Sequence, residues 1–263
     1  MTRSSHRPRK RFGQNFLHDP GVIRRIIDAI APRPDDPLVE IGPGQGALTR
    51  PLLETVKHLD VVELDRDLLA QLEALDVNGK LSVHNADALR FDFCQLRTGE
   101  AKLRLIGNLP YNISTPLLFH LMEQLECIAD MHFMLQKEVV DRLTAVPGTK
   151  AYGRLGVMLH YYCRAERLFI VPPGAFHPAP KVESAIVRLI PHPRPPVAVN
   201  DVQQLAWLVN RLFSQRRKML RHSLKGYLSE ARLQELGIDP TERPEQLDLA
   251  AFATLANALT TKN

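Results

Sequence analysis

The 263-residue sequence predicts an α/β protein, a mostly parallel seven-stranded sheet followed by a small all-helical C-terminal domain. Three observations carry that prediction. Strand-like apolar runs alternate with helix-period segments through the first two-thirds of the chain, and such alternation calls for crossover helices on both faces of a parallel sheet. A glycine-rich loop, "GPGQG", follows directly on a strand signal. Beyond the proline-dense segment "PHPRPPVAV" (191–199) the pattern is helical throughout, and proline at that density continues neither helix nor strand.

The elements follow in order. "LVEIG" (38–42) is the first strand, and Leu48, Leu52, Leu53 and Val56 then recur at helical spacing. "LDVVELD" (59–65) is the second strand, followed by a helix over Leu68, Leu69, Leu72 and Leu75. "LSVHNAD" (81–87), "LRLIGN" (103–108) and "MHFMLQ" (131–136) are the third, fourth and fifth. "RLFIVPP" and "ESAIVRLIP" (183–191), joined by a Pro-rich loop, read as a hairpin that ends the sheet. The expected domains are 1–192, with a basic arm at 1–11, and 193–263.

The bulk properties narrow the function classes. No apolar stretch approaches the ~18 residues of a membrane span. Cys94, Cys127 and Cys163 are odd in number and widely spaced, which argues against a disulfide framework or a zinc site and suits a reducing cytosol. The ten histidines form no HExxH-like pair, so no metal is expected. The formal charge of +5 is unevenly spread. Residues 1–11 carry five basic groups and no acid. Val202 to Ser229 adds six, Arg211, Arg216, Arg217, Lys218, Arg221 and Lys225, again without an acid. With those 11 removed from 34, 23 basic residues face 29 acidic ones, a remainder of −6. Each cluster alone reads as a solvated face, whereas both together on an acidic body favour a polyanionic partner. The arm is Arg-rich like a transit peptide, yet short and without a secretory apolar region. A cytoplasmic monomer is expected.

Two motifs carry chemistry. In "EIGPGQGAL", Gly42, Gly44 and Gly46 end the first strand, where glycine permits positive φ and close approach of a ligand to the backbone. Glu63 ends the second strand, suited to ribose hydroxyls, and Asp87 ends the third, where a carboxylate meets an adenine amine. Gly42, Gly44 and Ala47 also satisfy the dinucleotide fingerprint, so the loop leaves nicotinamide cofactors and S-adenosylmethionine both open. The second motif is "NLPYNIS": Asn108 ends the fourth strand beside the same cleft, and Leu109, Pro110 and Tyr111 form the turn. Thr115-Pro116 reads as an N-cap with proline at the first helical position. Turn and cap leave unexplained the aromatic ring at Tyr111.

"NLPY" matches the [Asn/Asp/Ser]-x-Pro-[Tyr/Phe] signature of amino-directed nucleic-acid methyltransferases. "GQNFL", "EIGPG", "NLPYNIS", "HFMLQKEV", "AYGRL", "FHPAPKVES" and "QRRK" occur together and in order. Over nearly its whole length the chain resembles the KsgA/RsmA family of small-subunit rRNA adenine dimethyltransferases. The resemblance implies a Rossmann-like methyltransferase fold. It also implies S-adenosylmethionine-dependent N6,N6-dimethylation of two adjacent adenosines in a hairpin loop near the 3′ end of small-subunit rRNA, in an immature subunit. S-adenosylhomocysteine would be the product and no metal would take part.

Residue by residue, Asn108 and the Leu109 or Pro110 carbonyl would take the two amine protons, and Tyr111 would stack on the base. Phe176 of "FHPAPKVES" would close the base's other face, with a plain core phenylalanine as the equal alternative. Asn15 and Leu17 of "GQNFL" would join Gly42, Gly44, Glu63, Asp87 and Asn108 around the cofactor. Arg216, Arg217, Lys218 and Arg221 would hold RNA. Leu109 stands where monomethylating enzymes commonly have proline, which leaves room for a second methyl. The competing readings are a large-subunit rRNA adenine methyltransferase of the antibiotic-resistance type and an RNA-binding subunit-assembly factor.

Overall fold

The computed structural model describes residues 14–260; the basic arm at 1–11 lies outside them. The chain divides into two compact units. Within the described residues the first runs to Val140 and resumes at Glu166–Pro191, and the second takes Asp141–Ala165 and everything from His192. The expected single cut at 192/193 therefore misses one excursion. Its helix α6 (Arg154–Tyr162) packs with α7 (Val202–Ser214) and α10 (Leu249–Thr260), although in sequence it looks like any crossover helix. Tyr152 meets Phe213 edge-on at 6.1 Å, and Phe213 stacks on Phe252 at 5.9 Å. This unit also holds the short α8 (Leu220–Ser223) and α9 (Glu230–Glu235) and the end of α5 (Lys137–Leu143).

The first unit is built on seven strands: β2 (Leu38–Ile41), β3 (Leu59–Glu63), β4 (Leu81–Asn85), β5 (Leu103–Asn108), β6 (Ile128–Gln136), β7 (Cys163–Val171) and β9 (Ser184–Pro191). Their order is β4-β3-β2-β5-β6-β9-β7. The first five are parallel and β9 runs antiparallel to β6, with Met131 opposite Leu189 and Gln136 opposite Ser184. β2 is fully buried and β5 nearly so, as expected of strands covered on both faces. The order reverses at β2, which is flanked by β3 on one side and β5 on the other. The crevice beyond the carboxyl ends of β2 and β5 is the topological switch point, where open α/β sheets bind ligands.

Local chemistry sets the surrounding helices. In α1 (Pro20–Ile30), Asp19 caps the N-terminus by accepting from the Val22 N–H at 2.9 Å, Pro20 takes the first position, and Ala31 ends the helix in the left-handed conformation. Val22, Ile26 and Ile30 recur at i, i+4 and bury one face, each worth about 1.5–3 kcal/mol. α2 (Thr49–Thr55) and α3 (Arg66–Glu73) follow β2 and β3. Two expectations fail here. α4 (Ser114–Met122) starts earlier than the Thr115-Pro116 reading: Ile113 is its cap residue, and the Ser114 hydroxyl donates to the Tyr111 carbonyl at 3.1 Å. Cys94 and Cys127, expected to be unpaired, form a disulfide with Cα atoms 5.5 Å apart. The segments before β5 and before β6 bring them together, and a separation of 33 residues gives no sign of it. Cys163 is free and buried.

Among the described residues, no group of three or more His, Cys, Asp or Glu could hold a metal ion, and no helix is long and apolar enough to cross a membrane.

Candidate functional site

The site grows out of the ends of β2, β3 and β5. β5 must approach β2 closely, and residue 107 shows why it is glycine: a Cβ there would lie 2.5 Å from the Ile41 carbonyl oxygen. A side chain at 107 would push β5 outward and carry Asn108 with it. In the loop after β2, Gly44 has φ +58°, and a Cβ would come within 3.1 Å of the Phe16 ring. The bare backbone therefore leaves its N–H free to point at Glu63, whose Oε2 accepts from it at 3.2 Å. Oε1 of Glu63 accepts from the Asp65 N–H at 2.8 Å. Burial raises the pKa of Glu63, opposed by these backbone donors. Asp87 accepts from the Leu89 N–H at 3.0 Å, which fixes the loop after β4.

Asn108 is oriented by one contact. Asn108 lines the cavity, and its Nδ2 donates to the Asn15 carbonyl at 3.0 Å, which leaves Oδ1 as the side chain's acceptor. In the turn, the Pro110 carbonyl already accepts from the Ile113 N–H at 3.2 Å, which makes the Leu109 carbonyl the better second acceptor. The Tyr111 hydroxyl shares a 2.6 Å hydrogen bond with Ser184, a fully buried residue at the start of β9. Burial raises the Tyr111 pKa, so the phenol stays neutral and contributes its ring rather than a base.

The N-terminal segment closes the other side. β1 (Phe16–Leu17) pairs antiparallel with β8 (Phe176–His177), setting Leu17 opposite Phe176. Gln14 donates to Asp65 at 2.9 Å, tying the same segment to the end of β3.

Every predicted catalytic or cofactor residue except Phe176 lines one cavity of about 310 Å³: Asn15, Leu17, Gly42, Gly44, Glu63, Asp87, Asn108, Leu109, Pro110 and Tyr111. That size is at the small end of ligand pockets. Phe176 does not join them. Its ring is 3% exposed and packs with Leu17, Val22 and Ile26, because a two-residue strand sends one side chain inward and the next, His177, outward. The core alternative describes this ring, and the base-closing role does not. Of the four RNA candidates, Arg217 and Lys218 are exposed. Arg216 instead pairs with Glu245 at 2.5 Å and donates to the Thr149 carbonyl, and Arg221 lies 3.9 Å from Glu230.

Sequence reasoning missed Glu40 and Leu64, both on the cavity wall. Glu40 is fully buried, its Oε2 accepting from the Thr49 hydroxyl at 2.6 Å. Burial lifts its pKa to about 7, with Thr49 opposing and Glu63 adding to the rise. A charged residue inside an otherwise apolar strand was the available signal. Leu64 is 48% exposed immediately after Glu63, an apolar surface for a flat ring that an isolated leucine in sequence does not announce.

The cavity suits a nucleoside: Glu63 is a mostly buried carboxylate that can accept from hydroxyls, and Leu64, Leu17 and Ile41 supply apolar wall. The sequence profile of the family described as ribosomal RNA adenine dimethylase matches residues 5–261. The chain is 57% identical to the ribosomal RNA small subunit methyltransferase A of Pseudomonas aeruginosa over 255 residues, covering 97% of this chain and 95% of that one. It is 56% identical to the protein of the same name from Alcanivorax borkumensis, over 96% of this chain and 90% of the relative. Among solved structures, a dimethyladenosine transferase from Plasmodium falciparum superposes with a TM-score of 0.77 at 25% identity, covering 91% and 95% of the two chains. The 23S rRNA methyltransferase ErmE gives 0.73 at 27% identity, covering 94% and 100%.

Proposed function

The chain belongs to the ribosomal RNA adenine dimethylase family, and from that premise we propose that its cavity binds S-adenosylmethionine and dimethylates the N6 amines of two adjacent adenosines near the 3′ end of small-subunit rRNA. When bound, S-adenosylmethionine supplies a methyl activated by a sulfonium. Glu63 would hold its ribose hydroxyls, Asp87 the adenine amine, and Leu64 a face of the ring. Asn15, Leu17 and the positive-φ glycines would line the rest.

The chain's own task is to make an aromatic amine nucleophilic. Its lone pair is delocalised into the ring. Accepting one proton on Asn108 Oδ1 and the other on the Leu109 carbonyl favours the pyramidal nitrogen, whose lone pair then points out of the ring plane. This is catalysis by positioning and preorganised dipoles. Tyr111, held by Ser184, offers a fixed face on which the extruded base stacks. The methylated nitrogen is acidic enough to lose its proton to water, so an amide suffices where a carboxylate base would otherwise be needed. Bases in a single-stranded loop also spare most of the few kcal/mol that extruding a paired base costs.

The observation that carries the reading is the 3.0 Å bond from Asn108 Nδ2 to the Asn15 carbonyl, which commits the side-chain oxygen to accepting. The similarity to ErmE supports a large-subunit substrate as the second reading, and the higher identity to small-subunit enzymes favours the first. Small-subunit rRNA is the proposed partner, within an immature subunit in the cytoplasm, with the protein acting as a monomer. The test is mass spectrometry of nuclease digests after incubating purified small and large subunits with the protein and labelled S-adenosylmethionine. Two adjacent N6,N6-dimethyladenosines in small-subunit rRNA are expected. Label confined to large-subunit rRNA would overturn the assignment.

A further inference from the structure

The second unit carries an aromatic surface that the proposed chemistry does not use. Trp207 and Tyr227 are each 38% exposed, among the few large apolar side chains left in solvent. Their ring centroids lie 5.2 Å apart at an interplanar angle of 59°. The Arg211 guanidinium sits 4.6 Å from the Tyr227 centroid and 5.9 Å from that of Trp207.

The local sequence explains the arrangement. Trp207 and Arg211 stand four apart on α7 and share a face, while Leu205, Leu208, Val209 and Leu212 bury the other. Tyr227 comes from the turn after α8, anchored by buried Leu224 and Leu228. Arg211 Nε donates to the Ser223 carbonyl at 3.3 Å, which ties the guanidinium to that turn.

The charge around these rings selects the partner. From Val202 to Ser229 the chain contains no acid. Lys225 is exposed two residues before Tyr227, and Arg217 and Lys218 are exposed beyond the end of α7. The acids that flank the stretch are both engaged: Asp201 caps α7 by accepting from the Gln203 N–H at 2.8 Å, and Glu230 lies 3.9 Å from Arg221. Two exposed rings bridged by a guanidinium, with the exposed cations Arg217, Lys218 and Lys225 in the same stretch, match an unpaired nucleotide: the base stacks, and the cations take its phosphates.

We propose that Trp207, Tyr227 and Arg211 form a stacking platform for an unpaired rRNA nucleotide other than the methylated adenosines. The platform rests on the reading that RNA is the substrate. It adds a base contact to a unit whose exposed Arg217, Lys218 and Lys225 would otherwise meet only phosphates.

Trp207 is the sole tryptophan of the chain, so its emission reports on the platform alone. The full-length protein is titrated with a protein-free RNA fragment from the 3′ region of small-subunit rRNA, and binding is followed separately by anisotropy of a dye on the RNA. Emission should be quenched with the midpoint that anisotropy gives. Heparin, a polyanion without bases, should bind and leave emission unquenched. Trp207→Leu and Tyr227→Leu should each weaken RNA binding about 5- to 150-fold, the ratio corresponding to ~1–3 kcal/mol per stacked base. Trp207→Phe should retain most of the affinity, and S-adenosylmethionine affinity should be unchanged in all three.

RNA binding with unchanged Trp207 emission, equal quenching by heparin, or wild-type affinity in both leucine variants would each overturn the platform. No anisotropy change at all would instead refute the RNA reading beneath it, and the platform with it. Should a leucine variant fail to fold, the quenching titration on the unmodified protein still decides the matter.

Discussion

Replacing Asn108 with alanine tests the central step. The substitution removes two things: the 3.0 Å donation from Nδ2 to the Asn15 carbonyl, and the Oδ1 acceptor proposed to take an amine proton. The first is one part-buried hydrogen bond, worth ~0.5–1.5 kcal/mol of stability, and Asn15 keeps access to solvent, so the fold should survive. The second is a preorganised group acting on charge that develops in the transition state, and losing one such group costs about 10²–10³ in rate, or ~2.7–4 kcal/mol. Cofactor affinity should fall far less, because Glu63 is untouched and keeps its backbone donors from Gly44 and Asp65. The assay is single-turnover transfer of labelled methyl to small subunits with enzyme in excess, alongside calorimetric S-adenosylmethionine binding. Asn108→Ser, which retains a shorter acceptor, should fall between the alanine variant and the wild type. An alanine variant that transfers methyl at near the wild-type rate would show that Asn108 is a turn residue only and that the amine needs no second acceptor.

Glu63→Gln should weaken S-adenosylmethionine by ~1.5–3 kcal/mol through loss of a charge-assisted acceptor; unchanged affinity by calorimetry would remove this residue from the ribose site. Glu40 gives a pH signature: its pKa is about 7 in the fold against 4.5 as a free side chain, so the folded protein pays to ionise it as pH rises from 4.5 through 7. Glu40→Gln should therefore match the wild type near pH 4, below the free-side-chain pKa, and exceed its stability by up to ~3 kcal/mol at pH 8, and urea midpoints that differ equally at both pH values would contradict the assigned burial. Of the four residues assigned to RNA, Arg216 and Arg221 face acids, which leaves Arg217 and Lys218 exposed to meet phosphates. Replacing both with alanine should flatten the log-affinity versus log-salt slope by about 1–2 units, and an unaltered slope would mark them as a solvated face. Reducing Cys94–Cys127 opens a loop of 33 residues, which should lower stability by ~2–4 kcal/mol in urea titrations while leaving methyl transfer unchanged, since neither sulfur lines the cavity.

What could be read in sequence and what could not divides along one physical line. β5 was delimited to the residue because its apolar run ends on Asn108, and the polar group at each strand's carboxyl end is encoded beside the strand that presents it. Glycines, Glu63, Asp87 and the Asn-Leu-Pro-Tyr turn are all of this kind, and the switch point of the sheet collects them in one cavity without further instruction. The misses concern pairings that no local window contains. β1 and β8 are two residues long, too short for any periodicity, and find each other across most of the first unit. Cys94 meets Cys127 only after two crossovers have returned to the same end of the sheet. Arg216 sits in an acid-free stretch and still has an acidic partner, Glu245, because charge balance is settled in space and not along the chain. Phe176 carries the family's motif and packs inward, since its register against Leu17 decides which way the ring points. A cation count over a window therefore overstates the surface available to RNA. Two of the four arginines and lysines assigned to it already have acidic neighbours, so the exposed aromatic pair beside Arg211 is the sharper place to test for a bound nucleotide.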